Sequence, residues 1–158
     1  MRSILSFHTI LKTLGDLQMK TTKNIYNLQE KANKAAKDYN CKYKPLTHGL
    51  LNGLTNLIRT DNGGVSFIRS PYIYKINGLP VYVTIKATGS RSNDFKQANK
   101  YFGFSEKPLG YTWHHLDDYN VRDNTFTLEL VESQAHRATT PHSGGCAMYQ
   151  ATTGRRYR

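Results

Sequence analysis

At Asp61-Asn62-Gly63-Gly64 the periodicity of the chain changes, which restricts it to a fold with helices first and strands after. Before this turn signal, apolar residues recur at helical spacing. They are Ile4, Phe7, Leu11 and Leu14, then Ile25, Leu28, Ala32, Ala35 and Tyr39, then Leu50, Leu54, Leu57 and Ile58 in a third helix spanning Leu46 to Ile58. Lys23, Lys31, Lys34 and Lys37 occupy the opposite side of the second run, as on a solvated helix face. After the turn, Val65 to Ile68, Tyr72 to Ile76 and Val81 to Ile85 are rich in β-branched and aromatic residues, with Asn77-Gly78 placed to turn a hairpin. Asp94 to Asn99 predicts a short helix capped by Ser92 or Asn93. The fold class is therefore α+β, with a helical region over residues 1–60 and a mixed domain over residues 61–158.

A chain of 158 residues holds one domain with a core and an appendage. Lysine and arginine number 22 against 11 acidic residues, a net charge of +11, which favours a polyanionic partner: nucleic acid first, an anionic membrane surface second. No apolar run approaches the roughly 18 residues a spanning helix needs. The start, Met1 to Leu11, faintly resembles a signal sequence, but His8 and Lys12 interrupt it, and an amphipathic helix fits better. Cys41 and Cys146 either pair across the fold or are two buried thiols, and neither lies in a CxxC arrangement. The tail, Arg155-Arg156-Tyr157-Arg158, is expected to be basic and frayed.

Four of the six histidines, His114, His115, His136 and His142, fall in one short stretch. Gly110 to His115 reads as a strand entering a loop, and Asp117-Asp118-Tyr119-Asn120 and Asp123-Asn124 as turns. Thr125 to Val131 alternates, with Phe126, Leu128 and Leu130 on one face. Ser133 caps a helix carrying His136, which Pro141 ends, and Gly144-Gly145 closes the unit. Neutral imidazole ligates transition metals and is a common general base. Adjacent histidines at a strand end point in different directions, so both do not readily ligate one ion and one must have another role. Trp113 is expected to pack beneath the site. Asp118 is either an acceptor orienting a histidine ring or a turn residue; Arg137 and Arg91 either reach a phosphate or face solvent.

Gly110-Tyr111-Thr112-Trp113-His114-His115, Leu128 to Val131, His136-Arg137-Ala138 and His142 to Gly145, with Asp94-Phe95, Ala98-Asn99 and Gly103 upstream, resemble the WHH family of the HNH/endonuclease VII nuclease superfamily. The resemblance covers about residues 88 to 146. It implies a ββα-metal (His-Me finger) core holding one divalent ion: zinc, magnesium, manganese or nickel. It also implies that His114, His136 and His142 are metal ligands and that His115 is the general base. The asparagine of the HNH pattern has no clear counterpart; Thr127 falls near its place. Members are similar to the nuclease colicins and typically act as toxin domains in competition between bacteria. That implies DNA as substrate, with RNA or binding without catalysis as alternatives, a cognate immunity protein, and delivery from the producing cytoplasm into a target cell. Residues 1–60 are then either an adaptor for a secretion apparatus or additional core.

Overall fold

The computed structural model describes residues 6–158; Ile4 of the first apolar run lies outside the described residues. Helix α1 runs unbroken from Phe7 to Tyr43. Ser6 caps it by accepting from the Thr9 N–H at 3.2 Å, and Lys44, left-handed at φ 49°, ends it before Pro45. The sequence suggests two helices here, because apolar spacing lapses between Leu17 and Ile25. Nothing there breaks a helix, however: Gly15, just before the gap, only weakens it, by about 1 kcal/mol, and Thr21 and Thr22 inside it donate back to carbonyls one turn earlier. The buried stripe is Ala32, Ala36 and Asn40, not Ala32, Ala35 and Tyr39, so a polar residue takes one of the buried positions. Phe7, Leu11, Leu14 and Leu17, earlier on the helix, are exposed.

Helix α2 spans Pro45–Leu51 and stops at Asn52-Gly53, with Gly53 at φ 80°. The expected helix to Ile58 is therefore cut short. Leu54 and Leu57 pack from irregular chain, and Ile58 enters strand β1 (Ile58–Arg59), which pairs with β2 (Val65–Ser66) across the Asp61–Gly64 turn. The hairpin at Asn77-Gly78 is present as β3 (Lys75–Ile76) and β4 (Leu79–Pro80), both turn residues having positive φ, as its tight turn requires.

Strand β5 (Tyr82–Lys86) leads to α3 (Arg91–Phe102), which is longer at both ends than the sequence suggests, starts after Ser90 and is closed by Gly103. Strands β6 (Tyr111–His115) and β7 (Thr125–Glu132) follow, then α4 (Ser133–Ala138) and α5 (Gly145–Thr153). Helix α5 is a further element, beginning where the glycine pair suggests only closure. The antiparallel sheet has the order β5-β7-β6, so β6 is an edge strand.

Cross-strand partners share a face, and the register sorts the core accordingly. Val83 opposes Leu128, Ile85 opposes Phe126, and Trp113 opposes Leu130; these join the main core under α1, α3 and α5. On the other face, Val131 meets Val65, Phe67, Ile73 and Ala135 in a second cluster. The C-terminal tail is not frayed. Arg158 N–H donates to Gly89 O at 2.9 Å, Arg91 N–H donates to Arg158 O at 2.7 Å, and Tyr157 is buried in the main core. Both cysteines are free thiols, and no helix among the described residues is long and apolar enough to cross a membrane.

Candidate active site

The register that sorts the core also separates the paired histidines. His115 lies opposite Leu128 on the main-core face, and His114 lies opposite Glu129 on the other. Buried His114 donates from Nε2 to the Val65 carbonyl at 2.8 Å, because a carbonyl can only accept. That leaves a lone pair on Nδ1, the buried side-chain nitrogen or oxygen that has no partner among the described residues. His136, from α4, and His142, from the loop before α5, close around it. Ring centroids lie 5.1 Å apart for His114–His136, 4.9 Å for His114–His142 and 4.8 Å for His136–His142. One ring nitrogen from each lies within 4.8 Å of the others. The six-residue separation of His136 and His142 is accommodated because α4 ends at Ala138, before Pro141, and the chain then turns back. An orphaned acceptor facing two further imidazoles is a donor set that fits a transition metal ion and leaves coordination positions for substrate.

Burial and mutual proximity keep these rings neutral. Burial lowers His114 well below its ordinary range, aided by His142 and His136; burial takes His136 down to about 3; and burial lowers His142 against an opposing contact with the Thr139 carbonyl. Opposite His114, burial pushes Glu129 up to about 7, although Ser66 Oγ donates to it at 2.5 Å and Phe67 N–H at 2.8 Å. Glu129 thereby fixes residues 66 and 67, and with them the Val65 carbonyl that sets the His114 tautomer.

A pH dependence follows for the metal-free protein. Below about pH 6.5 the unfolded chain protonates these histidines while the fold resists, so acid removes stability until the folded values are reached, near 3 for His136. Glu129 acts oppositely: between 4.5 and about 7 the fold holds its proton more tightly than the unfolded chain does. Three groups outweigh one. The expected result is a fall of roughly 5 °C or more in Tm from pH 7 to pH 5 with chelator present. A flat or rising Tm would contradict the neutral triad.

His115 occupies a different environment. Its Nε2–H donates to Asp94 Oδ2 at 2.9 Å, and its ring lies between Phe95 and Phe126 at 5.6 and 4.9 Å. Among the described residues its Nδ1 has no hydrogen-bond partner, and it is not sealed from solvent. Asp94 is fully buried and also accepts from Tyr157 Oη at 2.6 Å, Thr88 Oγ1 at 2.7 Å and Thr88 N at 3.2 Å. Cys146 lies close to this pair, but burial pushes its thiol up to about 12, so it remains a neutral wall residue. A cavity of about 200 Å³ beside edge strand β6 is lined by His115, His136, His142, Arg91, Phe95 and Gly144, among others. Gly144 is required there because a Cβ would lie 2.3 Å from the His115 carbonyl oxygen.

The loop bearing His142 is anchored from α1. Asn40 Oδ1 accepts from Ser143 N–H at 2.7 Å, and its Nδ2 lies 3.0 Å from Ser143 O, 3.2 Å from Asp117 Oδ2 and 3.2 Å from Asn62 O. Asp117 Oδ2 also accepts from Thr60 Oγ1 at 2.7 Å and Gly64 N–H at 3.0 Å. The α1 terminus, the β1–β2 turn, the β6–β7 loop and the His142 loop thus meet at one buried polar knot.

Of the residues suggested by sequence, His114, His136 and His142 cluster, and His115 and Arg91 line the adjoining cavity. Arg137 does not: it is exposed and borders a separate hollow with Tyr111 and Glu132, because it points away from the helix face carrying His136. Asp118 does not orient a histidine, since its Oδ1 accepts from Thr127 N–H at 2.9 Å and so braces the β6–β7 loop. The carboxylate beside a histidine is Asp94. Its signal in the sequence is an acid one turn before Ala98 on the buried side of a helix whose other charges are basic. Trp113 packs beneath the site, donating from Nε1 to Asn99 Oδ1 at 2.8 Å.

No curated protein and no solved structure matches the chain. Residues 103–152 match the family model described as a nuclease of the HNH/ENDO VII superfamily with conserved WHH. Trp113-His114-His115 on β6 and the strand, loop and helix that follow all lie inside the match, so this stretch of the chain is similar to the WHH family of nucleases.

Proposed function

We propose that the protein is a metal-dependent endonuclease that hydrolyses DNA phosphodiester bonds, with a ββα-metal unit formed by β6, β7 and α4. The observation that carries this reading is the orphaned His114 Nδ1 facing His136 and His142, one residue from a second histidine that lines the adjoining cavity. His114, His136 and His142 would hold the ion, and three nitrogen donors favour a zinc-like ion over magnesium, which prefers oxygen. When bound, a divalent ion supplies Lewis-acid stabilisation to a non-bridging oxygen of the scissile phosphate and to the leaving 3′ oxygen. His115 receives the proton of the attacking water at Nδ1. Arg91, at the cavity, pairs with a phosphate, and the +11 charge draws the polyanion to the surface.

On this reading residues 61–158 form the nuclease domain, and residues 1–60 extend it, the end of α1 serving the site through Asn40. The protein acts as a toxin in competition between bacteria, delivered into a target cell and neutralised in its producer by an immunity protein. The first test offers purified protein plasmid DNA, total RNA and tRNA side by side with zinc, nickel, manganese or magnesium. Plasmid cutting that EDTA abolishes is expected. Cleavage of RNA alone would reassign the substrate, and tight DNA binding without cleavage under every ion would make the module non-catalytic.

A further inference from the structure

The matched family segment ends at residue 152, yet the His115 ring is held by two residues outside it: Asp94, upstream, and Tyr157, in the tail. Asp94 Oδ2 takes the His115 Nε2–H at 2.9 Å and the Tyr157 hydroxyl at 2.6 Å, while Thr88 donates twice to Oδ1. All four contacts come from donors, so the carboxylate acts as an acceptor throughout and leaves His115 one tautomer, with the proton on Nε2 and the lone pair on Nδ1. Nδ1 is the nitrogen that has no hydrogen-bond partner among the described residues.

The tail is built to hold this arrangement. Its backbone pairs with the segment before α3 through Arg158 N–H to Gly89 O and Arg91 N–H to Arg158 O, at 2.9 and 2.7 Å. The Tyr157 ring packs against Tyr149 and Phe126, with centroids 5.1 and 6.0 Å away, and the Arg91 guanidinium lies 5.9 Å over its face. A tail needed only for solubility would not bury a tyrosine to 4 % exposure with its hydroxyl on a fully buried carboxylate.

We propose that Asp94 and Tyr157 are positioning residues for His115, and that the C-terminal tail is a strap that completes the active site by fixing the ring's tautomer and orientation. The proposal rests on the nuclease reading for its catalytic consequence, but the tautomer can be measured without it. A base held in the wrong tautomer retains its place and loses its lone pair where it is needed, so the loss falls on turnover and not on substrate binding.

The test uses the full chain loaded with zinc, as wild type, Tyr157→Phe and Asp94→Asn. Nitrogen-15 chemical shifts of the His115 ring report the tautomer, and steady-state cleavage of plasmid reports kcat and KM. The expected result for wild type is a single Nε2–H tautomer. Tyr157→Phe, which keeps the ring packing, should mix the tautomers and lower kcat about tenfold with KM within twofold. Asp94→Asn should lower kcat by about 10² or more. Wild-type nitrogen shifts in Tyr157→Phe would overturn the strap even if Asp94→Asn fails to fold, as would an unchanged kcat. If wild-type protein cuts no nucleic acid, the nuclease reading fails separately, and the nitrogen shifts still decide whether Asp94 and Tyr157 fix the ring.

Discussion

Alanine at His115 is expected to lower cleavage by about 10²–10⁴-fold while the protein retains its metal. The two effects separate because the register puts His115 on the opposite face of β6 from His114, so truncation leaves the His114–His136–His142 cluster untouched. What disappears is an imidazole that lines the cavity and its contact to Asp94. The ring also packs against Phe95 and Phe126, so alanine opens a void and costs stability of about 2 kcal/mol. His115→Gln, closer in volume, separates the packing loss from the chemical one. Single-turnover cleavage at saturating metal, with metal content measured on the same sample, decides the matter. Activity within threefold of wild type would remove His115 as the base, and loss of the metal would make it a ligand instead.

Asn40→Ala is expected to destabilise the protein by about 3 kcal/mol and to weaken metal retention, although Asn40 belongs to a helix outside the matched family segment. The side chain is 1 % exposed and serves the Ser143 N–H and carbonyl, the Asp117 carboxylate and the Asn62 carbonyl. Alanine abandons several buried polar groups together, each costing roughly 1–3 kcal/mol, with partial relaxation and water entry offsetting some of the sum. Ser143 follows His142 directly, so a loosened loop lets one of the three imidazoles leave the cluster. Urea unfolding and competition with a metal indicator read the two effects. A stability loss below about 0.5 kcal/mol would mean that the loop is held by its own turns and not by α1.

The nuclease segment is the most legible part of this sequence. Alternation over Thr125 to Val131 specifies a half-buried strand, and the Trp113-His114-His115 run can be aligned to it because both are short-range patterns. The Asn77-Gly78 hairpin was readable for the same reason: two residues that tolerate positive φ declare the turn by themselves. Less legible were the helices. Where α1 continues through its middle depends on the absence of a breaker and not on any signal. Where α2 stops depends on Gly53, which a helical tally of leucines passes over. Asp118 and Arg137 are close to histidines along the chain, which does not fix where their side chains go. In the fold, Asp118 braces a loop and Arg137 turns outward.

The local pattern of the chain was enough to determine that a histidine pair leaves a strand, that the two rings diverge, and that a strand and helix follow. These properties are set by alternation and by helix and turn chemistry within a few residues. Only the tertiary structure decided which partners those rings meet. Val65 reaches His114 from 49 positions away, Asp94 reaches His115 from 21, and Tyr157 reaches Asp94 from 63. Such pairings are selected when buried polar atoms must be satisfied once the cores close, a condition on the whole packed molecule that leaves little trace in any one stretch of chain. Among the buried side-chain nitrogens and oxygens of the described residues, the same condition left His114 Nδ1 unsatisfied, where the nuclease reading places the metal.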